Sequence, residues 1–241
     1  MRIQLYQIYI LFSLLLLSCN ISEPVDGPVI KGVKNPEISL EGEWKFNLNP
    51  PLDVNEFDGN EDFWKMIKVP GECMAQGFTP QHNSSYYYFR ILHVPSDYDD
   101  QTIKLKFDGT YNYAKVYING NFAGEHKGGF TPWSCDITDL VTPGKKVRLI
   151  IEMQDRIEDP SYASGFAYHQ TTGILRDIHL VALPIKYLSE FYYETELNDN
   201  YENGSLNLHF TFNIKDEYEI QLELYDPEGE KVELRKQSFE V

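Results

Sequence analysis

The sequence predicts an all-β fold made of antiparallel β-sandwiches. Two successive runs of apolar residues alternate with polar ones; they are Ile103, Leu105 and Phe107, then Ala114, Val116 and Ile118. A period of two is typical of strands with one face on a core and the other in water. Asn119-Gly120 follows directly, and because both residues tolerate positive φ, this pair is a strong hairpin signal. The 241 residues show no alternation of strand and helix patterns.

The first 18 residues are predicted to be a targeting segment that takes no part in the fold. Arg2 is its only charged residue, and the apolar run ends in four leucines at 14–17, followed by Ser18 and Cys19. A small residue before a cysteine after a leucine run resembles a bacterial lipoprotein signal. That resemblance implies lipidation at Cys19 and anchoring in the bacterial cell envelope, in the periplasm or outer membrane. An ordinary signal peptide or a membrane anchor is the alternative, although the run is short for a spanning helix.

Residues 19–36 are predicted to be a flexible tether, because proline and glycine recur there. The strands of a first domain follow within residues 37–184. Asn49-Pro50-Pro51, Pro70-Gly71 and Pro95 end three of them. The predicted strands are residues 43–48, 63–69, 86–94, 103–107, 114–118, 147–152 and 177–183.

Two long irregular segments interrupt these strands, at residues 73–85 and 154–172. Long loops often carry function, so both are candidates for ligand contact. The stretch from Phe107 to Leu140 is punctuated by turn residues after Asn119-Gly120, and it predicts a tight all-β meander. The turn residues are Gly124, Gly128, Gly129 and Pro132.

Residues 185–241 form a second predicted unit. Alternation returns at residues 206–214 and 220–224, and Val232 is expected to begin another strand. Asp226-Pro227-Glu228-Gly229 predicts a turn, because proline presets φ and glycine accepts the left-handed position.

Composition excludes several classes of function. The formal net charge is −16 and no stretch is strongly basic, which argues against a nucleic-acid partner. Cys73 and Cys135 could pair in an oxidising compartment. The chain has no CxxC and no Cys/His cluster, so neither a zinc site nor any other metal or cofactor is predicted.

Six motifs in order resemble the N-terminal sugar-binding domain of glycoside hydrolase family 2, which includes β-galactosidases, β-glucuronidases and β-mannosidases. They are SLEGEWKF at 39–46, KVPG at 68–71, FDG at 107–109, AKVYING at 114–120, HKGGFTPWSCDIT at 126–138 and TGILRDI at 172–178. The resemblance implies a jelly-roll sugar-binding domain over residues 37–184 and an immunoglobulin-like β-sandwich beginning in residues 185–241. About 55 residues are too few for such a sandwich, which needs roughly 100. We therefore expect the chain to be the N-terminal part of a longer protein.

The resemblance also bears on catalysis. Glycoside hydrolysis needs two carboxylates flanking the scissile bond. In the family both are glutamates on a downstream (β/α)₈ barrel, a pattern that this sequence does not contain. We expect this chain to be catalytically inactive alone and to be the carbohydrate-binding part of a β-galactosidase-like enzyme. A stand-alone carbohydrate-binding or scaffold lipoprotein is the alternative.

Three residues are candidates for sugar contact. By resemblance to the galactosidase branch, Asp159 and Asn83 match an Asp and an Asn that reach the active site from the two long loops. His169 lies in the same loop as Asp159 and could bond a sugar hydroxyl. A carboxylate accepts from two hydroxyls, and an amide both donates and accepts. The alternatives are a turn role for Asp159 before Pro160 and a structural role for His169.

Two further features are interpreted as structural. Trp133 is expected to pack in the core rather than to stack on a sugar. Arg176-Asp177 is expected to form an ion pair or a capping contact.

Overall fold

A computed structural model describes residues 30–48, 64–156 and 171–232, and the chain divides into two compact units between Ile185 and Lys186. Short 3₁₀ turns occur at Met74–Gln76, Ser96–Tyr98 and Thr138–Leu140. The strands are β1 (Glu37–Ser39), β2 (Gly42–Asn47), β3 (Lys65–Val69), β4 (Ser85–His93), β5 (Thr102–Phe107), β6 (Thr110–Tyr111), β7 (Tyr113–Ile118), β8 (Asn121–Lys127), β9 (Trp133–Asp136), β10 (Lys146–Gln154), β11 (Gly173–Ile174), β12 (Ile178–Leu183), β13 (Leu188–Leu197) and β14 (Gly204–Phe212).

The first unit is a sandwich of two antiparallel sheets. One sheet has the order β3-β2-β4-β10-β7-β8 and the other β1-β12-β5-β9, while β6 and β11 form a small third pair. A single apolar cluster joins the two large sheets, with Trp44, Phe46 and Leu149 on one side and Leu105 and Leu180 on the other. The sandwich encloses its core between the inward faces of these sheets. The predicted all-β sandwich is therefore confirmed.

Individual strands follow the sequence pattern closely. Along β5 the side chains of Ile103, Leu105 and Phe107 are buried while their neighbours are only partly covered. In β10 both faces are covered, because Ile150 and Glu152 are buried as well as the core-facing residues. This confirms the prediction that the strand at 147–152 is mostly buried on both sides.

The predicted meander between residues 107 and 140 is only half right. The Asn119-Gly120 turn does join β7 to β8, with φ of 51° and 85° at its two residues. The next strand, β9, leaves that sheet and pairs with β5 in the other one, with Phe107 opposite Trp133. Turn residues indicate that the chain reverses direction. They do not determine which strand the next segment pairs with, because long-range packing selects that partner.

The second unit contains the hairpin of β13 and β14, paired antiparallel from Leu188↔Phe212 to Leu197↔Gly204. The predicted run at 206–214 is confirmed as β14, whereas β13 was not predicted. The alternating run at 220–224 belongs to no strand among the described residues. The Asp226–Gly229 turn forms as predicted, with Gly229 N–H donating to Asp226 O at 3.0 Å. The assignment of this unit to an immunoglobulin-like domain, and the domain boundaries, stay predictions.

Cys73 and Cys135 are both buried free thiols, so the structure does not contain the disulfide that the sequence left open. Burial raises the pKa of Cys73 to about 11 and that of Cys135 to about 12. The Cys73 thiol lies 3.2 Å from the hydroxyl of Tyr88. A thiol that stays protonated in an apolar setting is a poor nucleophile and a poor metal ligand, which indicates structural roles for both residues.

Candidate functional site

The two long loops leave the sandwich at the same edge. In the six-stranded sheet, β4 begins at Ser85 and β10 ends at Gln154, and these two residues are directly paired. The segment before β4 and the segment after β10 therefore start from neighbouring points. Tyr113 and Lys127, which are also paired, bring residues 108–112 and 128–132 to this edge. We call this end of the sandwich the loop edge.

Backbone hydrogen bonds tie the two long loops together at both ends. At one end, Gly71 N–H donates to Ile174 O at 2.9 Å, and Cys73 N–H donates to Thr172 O at 3.1 Å. At the other end, Asn83 N–H donates to the backbone O of Asp155 at 2.8 Å. The first loop is thus held against both the start and the end of the second.

Asn83 is the predicted site residue that the structure describes, and it lies on the loop edge. Its side chain is exposed and its backbone has φ of 59°. Asparagine is one of the few residues that adopt this left-handed conformation readily. Asn83 is the third residue of a turn that is closed by Ser84 N–H donating to Gln81 O at 3.1 Å.

A His–Asp pair that was not predicted from the sequence lies beside Asn83. His82 Nδ1 is 2.6 Å from Asp155 Oδ2, with 51% of the His82 side chain exposed and 8% of that of Asp155. Because a carboxylate only accepts hydrogen bonds, His82 Nδ1 carries the proton and donates it. Two adjacent residues of the first loop, His82 and Asn83, are therefore bonded to the side chain and the backbone of one residue at the start of the second.

Asn112 holds the next residue of the second loop. Its amide Nδ2 donates to Arg156 O at 3.0 Å, and Arg156 N–H donates to its Oδ1 at 2.9 Å. Asn112 is buried, with 1% of its surface exposed. The paired bonds imitate one rung of a β-ladder, so β10 is effectively extended to Arg156.

The guanidinium of Arg156 is also fixed. It lies 3.4 Å from the centroid of the Tyr113 ring, and its Nε donates to Gln154 Oε1 at 2.8 Å. The Tyr113 hydroxyl donates to the carboxylate of Glu125 at 2.5 Å. The cation–π contact with Tyr113 and the hydrogen bond from Nε together restrain Arg156, which is the last described residue before residues 157–170.

A buried carboxylate braces the same edge from the outer face of the sheet. Glu152 accepts from Ser85 Oγ at 2.6 Å and from the Tyr117 hydroxyl at 3.2 Å. Burial and the Glu152 carboxylate raise the pKa of Tyr117, and they raise that of Tyr87 to about 12. Both phenols stay protonated at neutral pH and can act as donors to the carboxylate.

A cavity of 230 Å³ opens beside the first loop. Its walls combine hydroxyl and amide groups with apolar surface, and its volume is below that of a typical ligand pocket. The lining residues are Leu48, Thr79, Pro80, Gln81, Ser84, Ser85 and Tyr86.

The other predicted site residues are placed as follows. Asp159, His169 and Cys19 lie outside the described residues. Trp133 is half-buried and packs parallel to Phe107, with ring centroids 4.1 Å apart, which favours the core interpretation. Arg176 Nη1 donates to Phe130 O at 3.4 Å, which is neither an ion pair nor a helix cap, so the contact expected of Arg176-Asp177 stays a prediction.

A second polar cluster lies on the four-stranded sheet. The ligand atoms of Asp108, Asp177 and His179 are within 4.8 Å of one another. Lys106 Nζ is 3.6 Å from the Asp108 carboxylate and 3.1 Å from Glu37, whose carboxylate also lies 2.8 Å from His179 Nδ1. Lys106 and His179 therefore face the Glu37 and Asp108 carboxylates, which offsets part of the negative charge of the cluster. Across residues 30–48, 64–156 and 171–232, no helix has the length and apolar character needed to cross a membrane.

The fold is an antiparallel sandwich whose two long loops start from neighbouring strands at one end, and loops held on such a scaffold often carry function. Residues 38–184 match the family model described as "Glycosyl hydrolases family 2, sugar binding domain". The match covers more than half of the chain, so the chain belongs to this family, as the motifs indicated.

Curated relatives and solved structures agree with this assignment. The chain is 27% identical over 222 residues to a β-galactosidase of Clostridium acetobutylicum and 27% identical over 228 residues to one of Priestia megaterium, with 80% of the chain covered in each. It spans only 24% and 22% of the length of those two relatives. A Ruminococcus gnavus β-glucuronidase structure superposes with a TM-score of 0.66 at 22% identity, covering 84% of this chain and 37% of that one. A β-glucuronidase of an uncultured Clostridium sp. gives 0.63 at 22% identity, covering 86% and 39%. At these identities the structural likeness shows the fold alone.

Proposed function

We propose that this chain is the non-catalytic carbohydrate-binding part of a β-galactosidase-like family 2 glycoside hydrolase. One observation carries the proposal: the two loops predicted to contact sugar are bonded to each other at one edge of a family 2 sugar-binding domain. The β-galactosidase assignment is supported by the names of the curated relatives.

The chemistry of the loop edge suits a neutral sugar. Asn83 offers an exposed amide that can donate to one hydroxyl and accept from another. Asp159 and His169, in the second loop, add a carboxylate acceptor and an imidazole. In this proposal none of these three residues acts as the acid or the nucleophile of hydrolysis. That pair belongs to the (β/α)₈ barrel expected downstream, and the loop edge would supply contacts to the sugar held there.

A titration followed by NMR tests this proposal on the 241-residue chain. Adding methyl β-D-galactopyranoside is expected to shift backbone amide signals at residues 78–85, 155–156 and 171–175, because these form the loop edge. Signals from the opposite end of the sandwich, residues 94–101, 119–120 and 142–145, serve as the internal control and are expected to stay in place. Binding is expected to be weak, since the loop edge alone leaves the sugar exposed to water. Shifts confined to the opposite end, or none at the loop edge, would contradict the proposal.

We also propose that the protein is a lipoprotein of the bacterial cell envelope, anchored through Cys19. The support is the leucine run at 14–17 followed by Ser18-Cys19. Cells fed a labelled fatty acid should incorporate the label into the protein, and Cys19→Ser should abolish it. Undiminished labelling of the variant would rule out this anchor.

A further inference from the structure

Asn83 is held at the loop edge by its own backbone and by its neighbour His82. Asn83 is exposed and lies on a loop rather than on a strand. Its backbone N–H, however, donates to Asp155 O at 2.8 Å, and the preceding residue, His82, bonds to the Asp155 carboxylate at 2.6 Å. Two consecutive residues of one loop are therefore attached to a single residue of the other.

Asp155, to which both residues are bonded, is itself firmly held. Asp155 is 6% exposed and follows directly on β10, whose nine residues pair with β4. The next residue, Arg156, is held by the two amide bonds to Asn112. Asp155 is thus a rigid point of the sandwich, and the His82 side chain connects a loop to it.

We propose that His82 and Asp155 are positioning residues for Asn83, which they hold ready for a sugar hydroxyl; this role rests on the proposed function of the loop edge. The charge-assisted bond to Asp155 restrains His82. Because Asp155 also accepts the bond from Asn83 N–H, the backbone of Asn83 is restrained as well. An amide that binds a ligand needs such support, because a binding site whose groups are loose by about 1 Å does not function well.

Amide hydrogen exchange in the 241-residue chain measures this positioning without any sugar. The Asn83 N–H is protected by its bond to Asp155 O, so its exchange rate reports how often the contact opens. His82→Ala is expected to speed that exchange about tenfold, equivalent to about 1.4 kcal/mol, since it removes a hydrogen bond to a charged group at a half-exposed site. His82→Asn should restore most of the protection, because its Nδ2 occupies nearly the position of the lost Nδ1 donor. His93→Ala, an exposed histidine at the far end of β4, is the matched control and should change nothing at Asn83.

Two results would overturn the inference. One is an unchanged Asn83 exchange rate in His82→Ala. The other is faster exchange spread evenly through the strands, which would mean general destabilisation rather than loss of a local restraint.

A double-mutant cycle then asks whether the positioning serves sugar contact. In the complete gene product, acting on an aryl β-D-galactoside, His82→Ala should lower kcat/KM in the parent but have little further effect in an Asn83→Ala background. Additive effects would overturn the link between the two residues. If Asn83→Ala alone leaves kcat/KM unchanged while the exchange result holds, the proposed sugar contact fails and the positioning stands.

Discussion

Gly173→Ala is expected to destabilise the first unit by about 3–5 kcal/mol, from a strained backbone and an overpacked site together. Gly173 has φ of +115°, which side-chain-bearing residues rarely adopt. A Cβ at this position would lie 2.8 Å from the Tyr88 hydroxyl, 3.0 Å from Cys73 Sγ and 3.1 Å from Gly71 O. Tyr88 and Cys73 are fully buried, and the third contact is backbone, so none can move away cheaply.

Gly42→Ala is a matched control for this change. Gly42 has the same φ of +115°, but a Cβ there would meet nothing within 4 Å. It should therefore show only the conformational cost, about 1–3 kcal/mol. Urea unfolding of the two variants separates the terms, because their difference isolates the crowding around Gly173. Equal losses of stability would show that the site around Gly173 relaxes and that the close packing described here is not required.

The same substitution should disturb the loop edge. Gly173 lies between Thr172 and Ile174, whose carbonyl groups accept the bonds from Cys73 and Gly71 that hold the first loop. Displacing Gly71 would loosen these ties. The glycine in the TGILRDI motif is thus explained by packing at the meeting point of the two loops.

Most strands could be predicted from the sequence because their signals are local. Alternation sets which face of β5 or β10 is buried, and Asn119-Gly120 closes its hairpin with positive φ at both residues. The change of sheet between β8 and β9 could not be predicted in this way. It depends on Trp133 pairing opposite Phe107, a choice between partner strands that no local pattern records.

The second unit shows two other limits of the sequence pattern. In β13, tyrosines and phenylalanine stand next to each other at residues 191–193, and this blurs the period of two. Residues 220–224 have a clear period of two but join no strand among the described residues. Alternation marks a segment that suits a sheet, while a ladder also requires a partner strand.

The candidate site was predicted in part, and by resemblance rather than by pattern. Asn83 was identified from its match to the family and lies where the two loops meet. His82, Asp155 and Asn112 were missed because their roles arise from contacts between distant segments. A buried asparagine such as Asn112, which completes a β-ladder rung, looks like an ordinary loop residue in the sequence.

Asp159→Ala tests the central claim, that the long loops of this domain complete a sugar site. Asp159 lies in the long loop before the closing strand, at the spacing from residues 173–177 that the galactosidase resemblance requires. In a closed site, losing a carboxylate acceptor leaves a sugar hydroxyl unpaired, which costs about 1–3 kcal/mol. The loss should fall on transition-state binding and therefore on kcat/KM. Stability should change little, since a loop carboxylate supports no core.

The decisive measurement is kcat/KM of the complete gene product on an aryl β-D-galactoside, with melting temperatures determined in parallel. Asp139→Ala is the control, because Asp139 is an exposed aspartate in the 3₁₀ turn at the opposite end of the sandwich. Asp159→Ala is predicted to lower kcat/KM about tenfold or more, a loss of about 1.4 kcal/mol, while its melting temperature and both properties of Asp139→Ala stay near the parent values. If Asp159→Ala keeps full activity, or loses activity only in step with stability, Asp159 is a turn residue and this loop does not contact the sugar.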